Sequence, residues 1–143
     1  MRILFVVLSF LFMHHMCSSQ TILKATSQGW VGGVCCVSGT NYSVVFELPT
    51  SVRSIEVDSV YLQTFGWVPS TLHPEYKVEN TRRVNLNFEI RRDKRSPYMF
   101  NEVLDHPITR NFEGAALIVL KVNGKRIEKT ISSFEELGFL AYP

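Results

Sequence analysis

The most unusual run of residues in this sequence is rich in glycine and cysteine and extends from Gly29 to Thr40. Its glycines are spaced as in some phosphate-binding loops. A Walker loop also needs a Lys beside a Ser or Thr to contact the phosphates, and the run contains no such pair. A dinucleotide-binding fingerprint is also missing. We therefore interpret the run as a strand between two glycine turns, and the sequence predicts no cofactor.

Two neighbouring cysteines, Cys35 and Cys36, are the only ones after Cys17. On a strand they would point to opposite faces, and a disulfide between neighbours closes a tight ring that ordinary disulfide geometry does not favour. A metal site needs more ligands at suitable spacing, so we predict none. Reduced, buried thiols are the favoured interpretation. A vicinal or intermolecular disulfide is the alternative if the compartment is oxidising.

Two histidines, His73 and His106, lie outside the N-terminal segment, and each precedes a proline. A residue before proline favours extended or turn conformations. Asp105 and His106 are neighbours in sequence, which rarely face each other productively, and no motif marks a nucleophile. We predict turn positions for both histidines and no catalytic residue, so the protein is not expected to be an enzyme.

Basic residues flank one strand-like segment, at residues 84–90. They are Arg82, Arg83, Arg91, Arg92, Lys94 and Arg95. Such a concentration of charge at the two ends of a strand can attract an anionic glycan, a lipid head group or an acidic protein. The alternative is a set of solvated charges that protect a strand edge from aggregation.

Period-two alternation of apolar residues indicates the elements that would position these groups. Such alternation predicts half-buried strands at 42–48 and 84–91, and a run that is apolar on both faces predicts a central strand at 115–122. Asn123-Gly124 before a strand at 125–131 predicts a two-residue hairpin, because both turn residues need positive φ. The apolar pattern slips by one residue at Ser59, which indicates a β-bulge.

Weaker patterns predict strands at 22–26, 31–37 and 76–79, and a long loop at 93–112. A Ser followed three residues later by a Glu is typical of a capping box, so we predict a single helical turn near Ser133–Leu137 that Gly138 ends. Seven or eight short strands favour an all-β fold, namely an antiparallel β-sandwich that is immunoglobulin-like in general architecture. A small β-barrel is the alternative.

Length and charge limit the organisation further. The chain has 143 residues and a formal net charge of +2. Residues 20–143 are enough for one domain and too few for two. So small a charge gives no reason to expect nucleic acid as a partner.

Residues 1–19 have the three parts of a secretory signal peptide. Arg2 is the basic start, residues 3–13 are apolar except for Ser9, and small residues precede a cleavage site after Ser19. Eleven residues span roughly 16 Å as a helix, about half a bilayer core. An uncleaved anchor is therefore the weaker alternative, and we predict no transmembrane span in the mature chain. A second alternative is lipidation of Cys17.

Four short segments of the mature chain carry a resemblance: residues 24–30 (Lys-Ala-Thr-Ser-Gln-Gly-Trp), 38–42 (Ser-Gly-Thr-Asn-Tyr), 122–125 (Val-Asn-Gly-Lys) and 141–143 (Ala-Tyr-Pro). In these segments the chain resembles a group of small secreted bacterial β-proteins of unknown function. The resemblance implies export and a β fold, and it brings no assigned activity or site.

These observations favour an exported, non-catalytic binding or structural module of the bacterial periplasm or cell envelope, with an envelope protein or an anionic glycan as the expected partner. The alternative is a small secreted hydrolase or inhibitor that uses the 93–112 loop. A deep pocket holding His73 or His106 beside a carboxylate would favour the alternative.

Overall fold

The computed structural model describes residues 20–33, 37–78, 81–93 and 111–143. These residues form nine β-strands and no helix. The strands are β1 (Thr21–Val31), β2 (Val37–Pro49), β3 (Ile55–Leu62), β4 (Gly66–Val68), β5 (Ser70–Val78), β6 (Thr81–Asp93), β7 (Ala116–Val122), β8 (Lys125–Ile131) and β9 (Glu135–Ala141).

The strands form two sheets that pack face to face. The five-stranded sheet has the order β5-β6-β2-β1-β9, and the four-stranded sheet has the order β4-β3-β7-β8. The two sheets do not close into a barrel, so the β-sandwich prediction is confirmed and the barrel alternative is wrong. All strand pairs are antiparallel except β1 and β9, which run parallel.

The core lies between the sheets and follows from the period-two patterns. In β2, Val44, Phe46 and Leu48 are fully buried, and in β6 Leu86 is fully buried. Side chains on a strand alternate between faces, so the residues between these point away from the core. The strands predicted at 42–48 and 84–91 are therefore confirmed, with one buried face each.

Strand β7 is buried on both faces, as its sequence predicts. Ile118 and Leu120 face the core, whereas Leu117 and Val119 belong to a second cluster on the other side of the four-stranded sheet. Tyr61 also belongs to that second cluster, and Trp67 and Phe112 pack against it.

The predicted bulge in β3 is confirmed. The pairing of β3 with β7 shifts between Val57 and Ser59, so Asp58 is the extra residue. The shift moves the apolar positions from Val57 to Val60, which is why the sequence pattern slips. Asp58 then forms an ion pair with Lys121 at 3.2 Å.

The predicted hairpin between β7 and β8 is also confirmed. Val122 pairs with Lys125, and the two turn residues Asn123 and Gly124 have φ of 49° and 77°. The Asn123 Oδ1 atom also accepts hydrogen bonds from the backbone N–H groups of Arg53 (2.7 Å) and Ser54 (3.1 Å). Asn123 therefore fixes the β2–β3 connection as well as its own turn.

The helical turn predicted near Ser133–Leu137 is wrong, because this segment begins β9. A single helical turn is marginal by itself, whereas an extended chain here forms a ladder with β1 from Thr26 to Val31. Phe134 further anchors the segment by packing edge-on against Tyr42, with ring centroids 4.9 Å apart.

The interpretation of 29–40 as a strand between glycine turns is also wrong, and so is the strand predicted at 31–37. Gly29 lies within β1 and Gly39 within β2, while Gly32 and Gly33 lie between these strands. The Gly32 N–H donates to the Val37 carbonyl at 2.9 Å, which joins the end of β1 to the start of β2. Residues 34–36 lie outside the described residues.

The strands predicted at 22–26 and 76–79 fall within longer elements. The first is part of β1, and residues 76–78 of the second are part of β5. No helix in the described part of the chain is long and apolar enough to cross a membrane.

Candidate functional site

The candidate site is the outer face of the five-stranded sheet, which we define as the face turned away from the four-stranded sheet. It is built by the residues that alternate with the core positions. In β2 these include Asn41 and Ser43, and in β6 they include Asn85, Asn87 and Glu89.

The strand register aligns these polar residues in rows across the sheet. In one row, Thr71, Asn87, Ser43 and Thr26 are successive partners on β5, β6, β2 and β1. In the next row, Glu89 pairs with Asn41, which pairs with Gln28. Neighbouring strands lie about 4.8 Å apart, so the first row places four neutral hydrogen-bonding side chains along about 14 Å.

An open groove of about 660 Å³ follows these rows. Its polar lining comes from Thr26, Gln28, Asn41, Ser43, Thr71, His73, Asn87 and Glu89, and Tyr42, Pro69, Phe88 and Leu137 also line it. Amides and hydroxyls predominate, and both groups donate and accept hydrogen bonds.

Two hydrogen bonds hold part of this lining in place. The Ser43 hydroxyl donates to Asn85 Oδ1 at 2.8 Å, and Gln28 Nε2 donates to the Gly138 carbonyl at 2.9 Å. Among the described residues, Asn41 and Asn87 have no side-chain hydrogen bond. Their amides are therefore available to a ligand.

A third row, at one end of the groove, contains Trp30, Gly39 and Arg91 on β1, β2 and β6. A Cβ at Gly39 would lie 2.7 Å from the Trp30 indole, so the glycine allows the ring to lie across β2. The Arg91 guanidinium carbon is 5.8 Å from the Trp30 ring centroid, within the range of a cation–π contact.

Trp30 is nearly covered, at 8% exposure. Tyr142 contacts its edge with ring centroids 6.1 Å apart, and the Tyr142 backbone N–H donates to Val31. The Trp30 Nε1–H group is buried and has no acceptor among the described residues. Arg91 forms no ion pair within the described part of the chain.

Beneath the groove, aromatic rings on the core side support β2 and β6. Tyr42 stacks on Phe88 with ring centroids 5.1 Å apart and an interplanar angle of 10°. Burial raises the pKa of Tyr42 above its usual 10.0, and the positive charge of Arg92 opposes part of that rise.

The predicted basic residues fall into two groups. Arg82 and Arg83 lie at the start of β6, whereas Arg91 and Arg92 lie near its end, so Arg83 and Arg91 are about 27 Å apart along the strand. Arg83 lies 3.7 Å from Glu47, and Arg92 lies over the Phe65 ring. Lys94 and Arg95 lie outside the described residues.

The other candidate residues are separated or not described. The turn position predicted for His73 is wrong, because this residue pairs with Asn85 within β5 and lines the groove. Its strand partner Asn85 lies four residues from Glu89 on β6, about 13 Å along the strand. Cys17, Cys35, Cys36 and His106 lie outside the described residues, as does most of the 93–112 loop. Within the described ranges, no group of three His, Cys, Asp or Glu residues could hold a metal.

Sequence reasoning missed the groove itself and the Trp30–Gly39–Arg91 row. The sequence shows the alternating Asn, Ser and Thr residues, but it does not show which strands are neighbours in the sheet. Comparison with known proteins finds no matching family model, no similar curated protein and no similar solved structure.

Proposed function

We propose that this protein is an exported, non-catalytic binding module of the bacterial periplasm or cell envelope, and that its outer-face groove binds a glycan chain. The observation that carries the proposal is the row of neutral polar side chains across β5, β6, β2 and β1.

The chemistry of this lining suits a ligand rich in hydroxyl groups. Each sugar hydroxyl donates one hydrogen bond and accepts others, and amide and hydroxyl side chains can satisfy both roles. Each such bond contributes about 1 kcal/mol net, so useful affinity needs several together. A groove that crosses four strands supplies several along one direction, which suits an extended chain.

Arg91 favours a glycan that carries carboxylates. It lies on the same face as the groove, one row beyond Glu89, and forms no ion pair among the described residues. Arg can bind a carboxylate with two parallel hydrogen bonds. Its stacking on Trp30 restrains the side chain, which lowers the entropy lost on binding.

Among the described residues, the spacing of two outer-face carboxylates supports binding rather than glycoside hydrolysis. Glu89 on β6 and Glu135 on β9 both lie on the outer face, with β2 and β1 between their strands. That places them about 15 Å apart. Hydrolysis by paired carboxylates requires about 5–9.5 Å.

Calorimetric titration with two probes tests the groove. The probes are an oligogalacturonate of about six sugars and a neutral oligosaccharide of the same length. We expect tighter binding of the acidic probe. Asn41→Ala should weaken the binding of both probes about five- to tenfold, because hydrogen bonds from the Asn41 amide are lost. Arg91→Ala should remove the preference for the acidic probe.

Gln63→Ala is the matched control, because Gln63 is an exposed amide that follows β3 in the four-stranded sheet. It should leave binding of both probes unchanged. Absence of binding by either probe, or equal losses with Asn41→Ala and Gln63→Ala, would contradict the proposal.

The export part of the proposal rests on residues 1–19, and mass spectrometry of the purified protein tests it. We expect a mature N-terminus at Gln20, within two residues. An intact Met1 would contradict export, and an acylated Cys17 would replace cleavage after Ser19 with lipidation. Measurement with and without reductant also reports the state of Cys35 and Cys36.

A further inference from the structure

The edge strands of the two sheets differ in how well they are protected from pairing with other strands. Natural edge strands are blunted by charges, proline, bulges or short length. Strand β8 carries four charged residues in seven, and β4 has three residues. Strand β5 contains Pro74 and a register shift. Each of these edges therefore has a protecting feature.

Strand β9 is different, because its second half is apolar. Residues 137–142 (Leu-Gly-Phe-Leu-Ala-Tyr) include neither a charge nor a proline. The large side chains here are unusually exposed: Leu137 39%, Phe139 67%, Leu140 37% and Tyr142 50%. The one blunting feature is a bulge, where Gly138 and Phe139 lie opposite Gly29. Exposed apolar surface on an edge that only a bulge protects is typical of an interface.

We propose that β9 is the interface with a second copy of this chain, and that the two β9 strands pair antiparallel about a twofold axis. A twofold interface requires a surface that complements itself, and an antiparallel strand pair has this property. The charges at the start of β9 also favour antiparallel pairing. Glu135 and Glu136 begin β9, so antiparallel pairing keeps the two acidic ends apart, whereas parallel pairing would bring four carboxylates together.

The exposed area fits a dimer of modest affinity. At about 200 Å² for each large side chain, the four exposed fractions correspond to on the order of 400 Å² of apolar surface per copy. A standard interface buries about 800 Å² per partner. The backbone edge and Val31, which is 36% exposed and pairs with Ala141, supply more area. The dimer should therefore be concentration-dependent.

Sedimentation velocity of the purified whole protein, from about 5 to about 500 µM, tests the proposal. We expect the mass to rise from one chain towards two across this range. Phe139→Lys should keep the protein monomeric throughout, because it places two charges across the twofold axis. Leu140→Lys should have the same effect, and this second variant tests the interface if Phe139→Lys fails to fold.

Leu23→Lys is the matched control. Leu23 is 43% exposed and lies near the start of β1, away from residues 137–142. The Leu23→Lys protein should dimerise as the wild type does. A wild-type protein that stays monomeric to about 500 µM would overturn the proposal. A dimer that Leu23→Lys disrupts and the β9 variants do not would overturn it as well.

Discussion

At the scale of single residues, Gly39 shows how a missing side chain can organise a surface. A glycine inside a strand usually weakens it. Here a Cβ would lie 2.6 Å from the Ile90 carbonyl oxygen as well as 2.7 Å from the Trp30 ring. The glycine therefore lets an indole from β1 cross β2 and meet Arg91 on β6, which gives the groove a basic end.

The burial of Tyr42 predicts how stability depends on pH. Its folded pKa is raised above 10.0, so the neutral form is favoured in the folded state. The associated stability is fully present below pH 10.0 and is lost as the pH rises through the folded pKa. Between about pH 9 and about pH 11.5, the urea midpoint of the wild type should fall more than that of Tyr42→Phe.

Comparison with Tyr42→Phe isolates the effect of this one phenol, because the two proteins share every other ionisable group. Equal losses of stability in the two proteins over this pH range would show that Tyr42 ionises as easily when folded as when unfolded.

The sequence predicts the face on which each residue of the site lies, but it does not predict which residues lie side by side. Alternation assigns Asn85, Asn87 and Glu89 to the face opposite the core, and this is correct. Alternation does not say which strands are neighbours, so Asn87 could not be placed beside Ser43 or Arg91 beside Trp30. Those pairs depend on register between residues 44 and 61 positions apart in the chain.

At the scale of elements, the β7–β8 hairpin is where local sequence and tertiary structure agree most closely. Both turn residues have positive φ, and Asn123 adds three side-chain hydrogen bonds to the 51–54 segment. Two separate features therefore stabilise the turn: the backbone conformation of its own residues and the hydrogen bonds of Asn123 with the β2–β3 connection.

Gly124→Val should destabilise the protein by about 1–3 kcal/mol, because a β-branched residue is strained at φ of 77°. Gly138→Val is the control. A Cβ at either glycine would meet no atom within 4 Å, but Gly138 has no positive φ, so its change should cost about 0.5 kcal/mol or less. Urea unfolding at low concentration measures both, and equal midpoints would mean that the backbone conformation of the turn contributes no strain.

The contrast between this hairpin and β9 explains which elements the sequence could predict. The strands at 42–48, 84–91, 115–122 and 125–131 have patterns set by burial on one or both faces, and the structure contains all four. Residues 133–137 have a local helical signal, but pairing with β1 determines their conformation. Propensity is a weak prior that tertiary contacts override.

At the scale of the whole molecule, the groove and the β9 edge belong to the same five-stranded sheet. In the proposed dimer the twofold axis is perpendicular to that sheet, so both outer faces lie on the same side. One long glycan can then contact two grooves. Linking two sites in this way raises avidity without any new contact, through an effective concentration in the millimolar range.

The parallel pairing of β1 with β9 has a mechanical consequence. These are the first and last strands of the described chain, and they lie side by side with the same direction. A force that pulls the start of β1 away from the end of β9 acts along both strands in opposite senses. The inter-strand hydrogen bonds of this ladder are then loaded in shear, all together, whereas an antiparallel hairpin such as β7–β8 opens one bond at a time from its free end. Tension applied between the start of β1 and the end of β9 must therefore break these hydrogen bonds together, which requires a higher force than opening them one at a time.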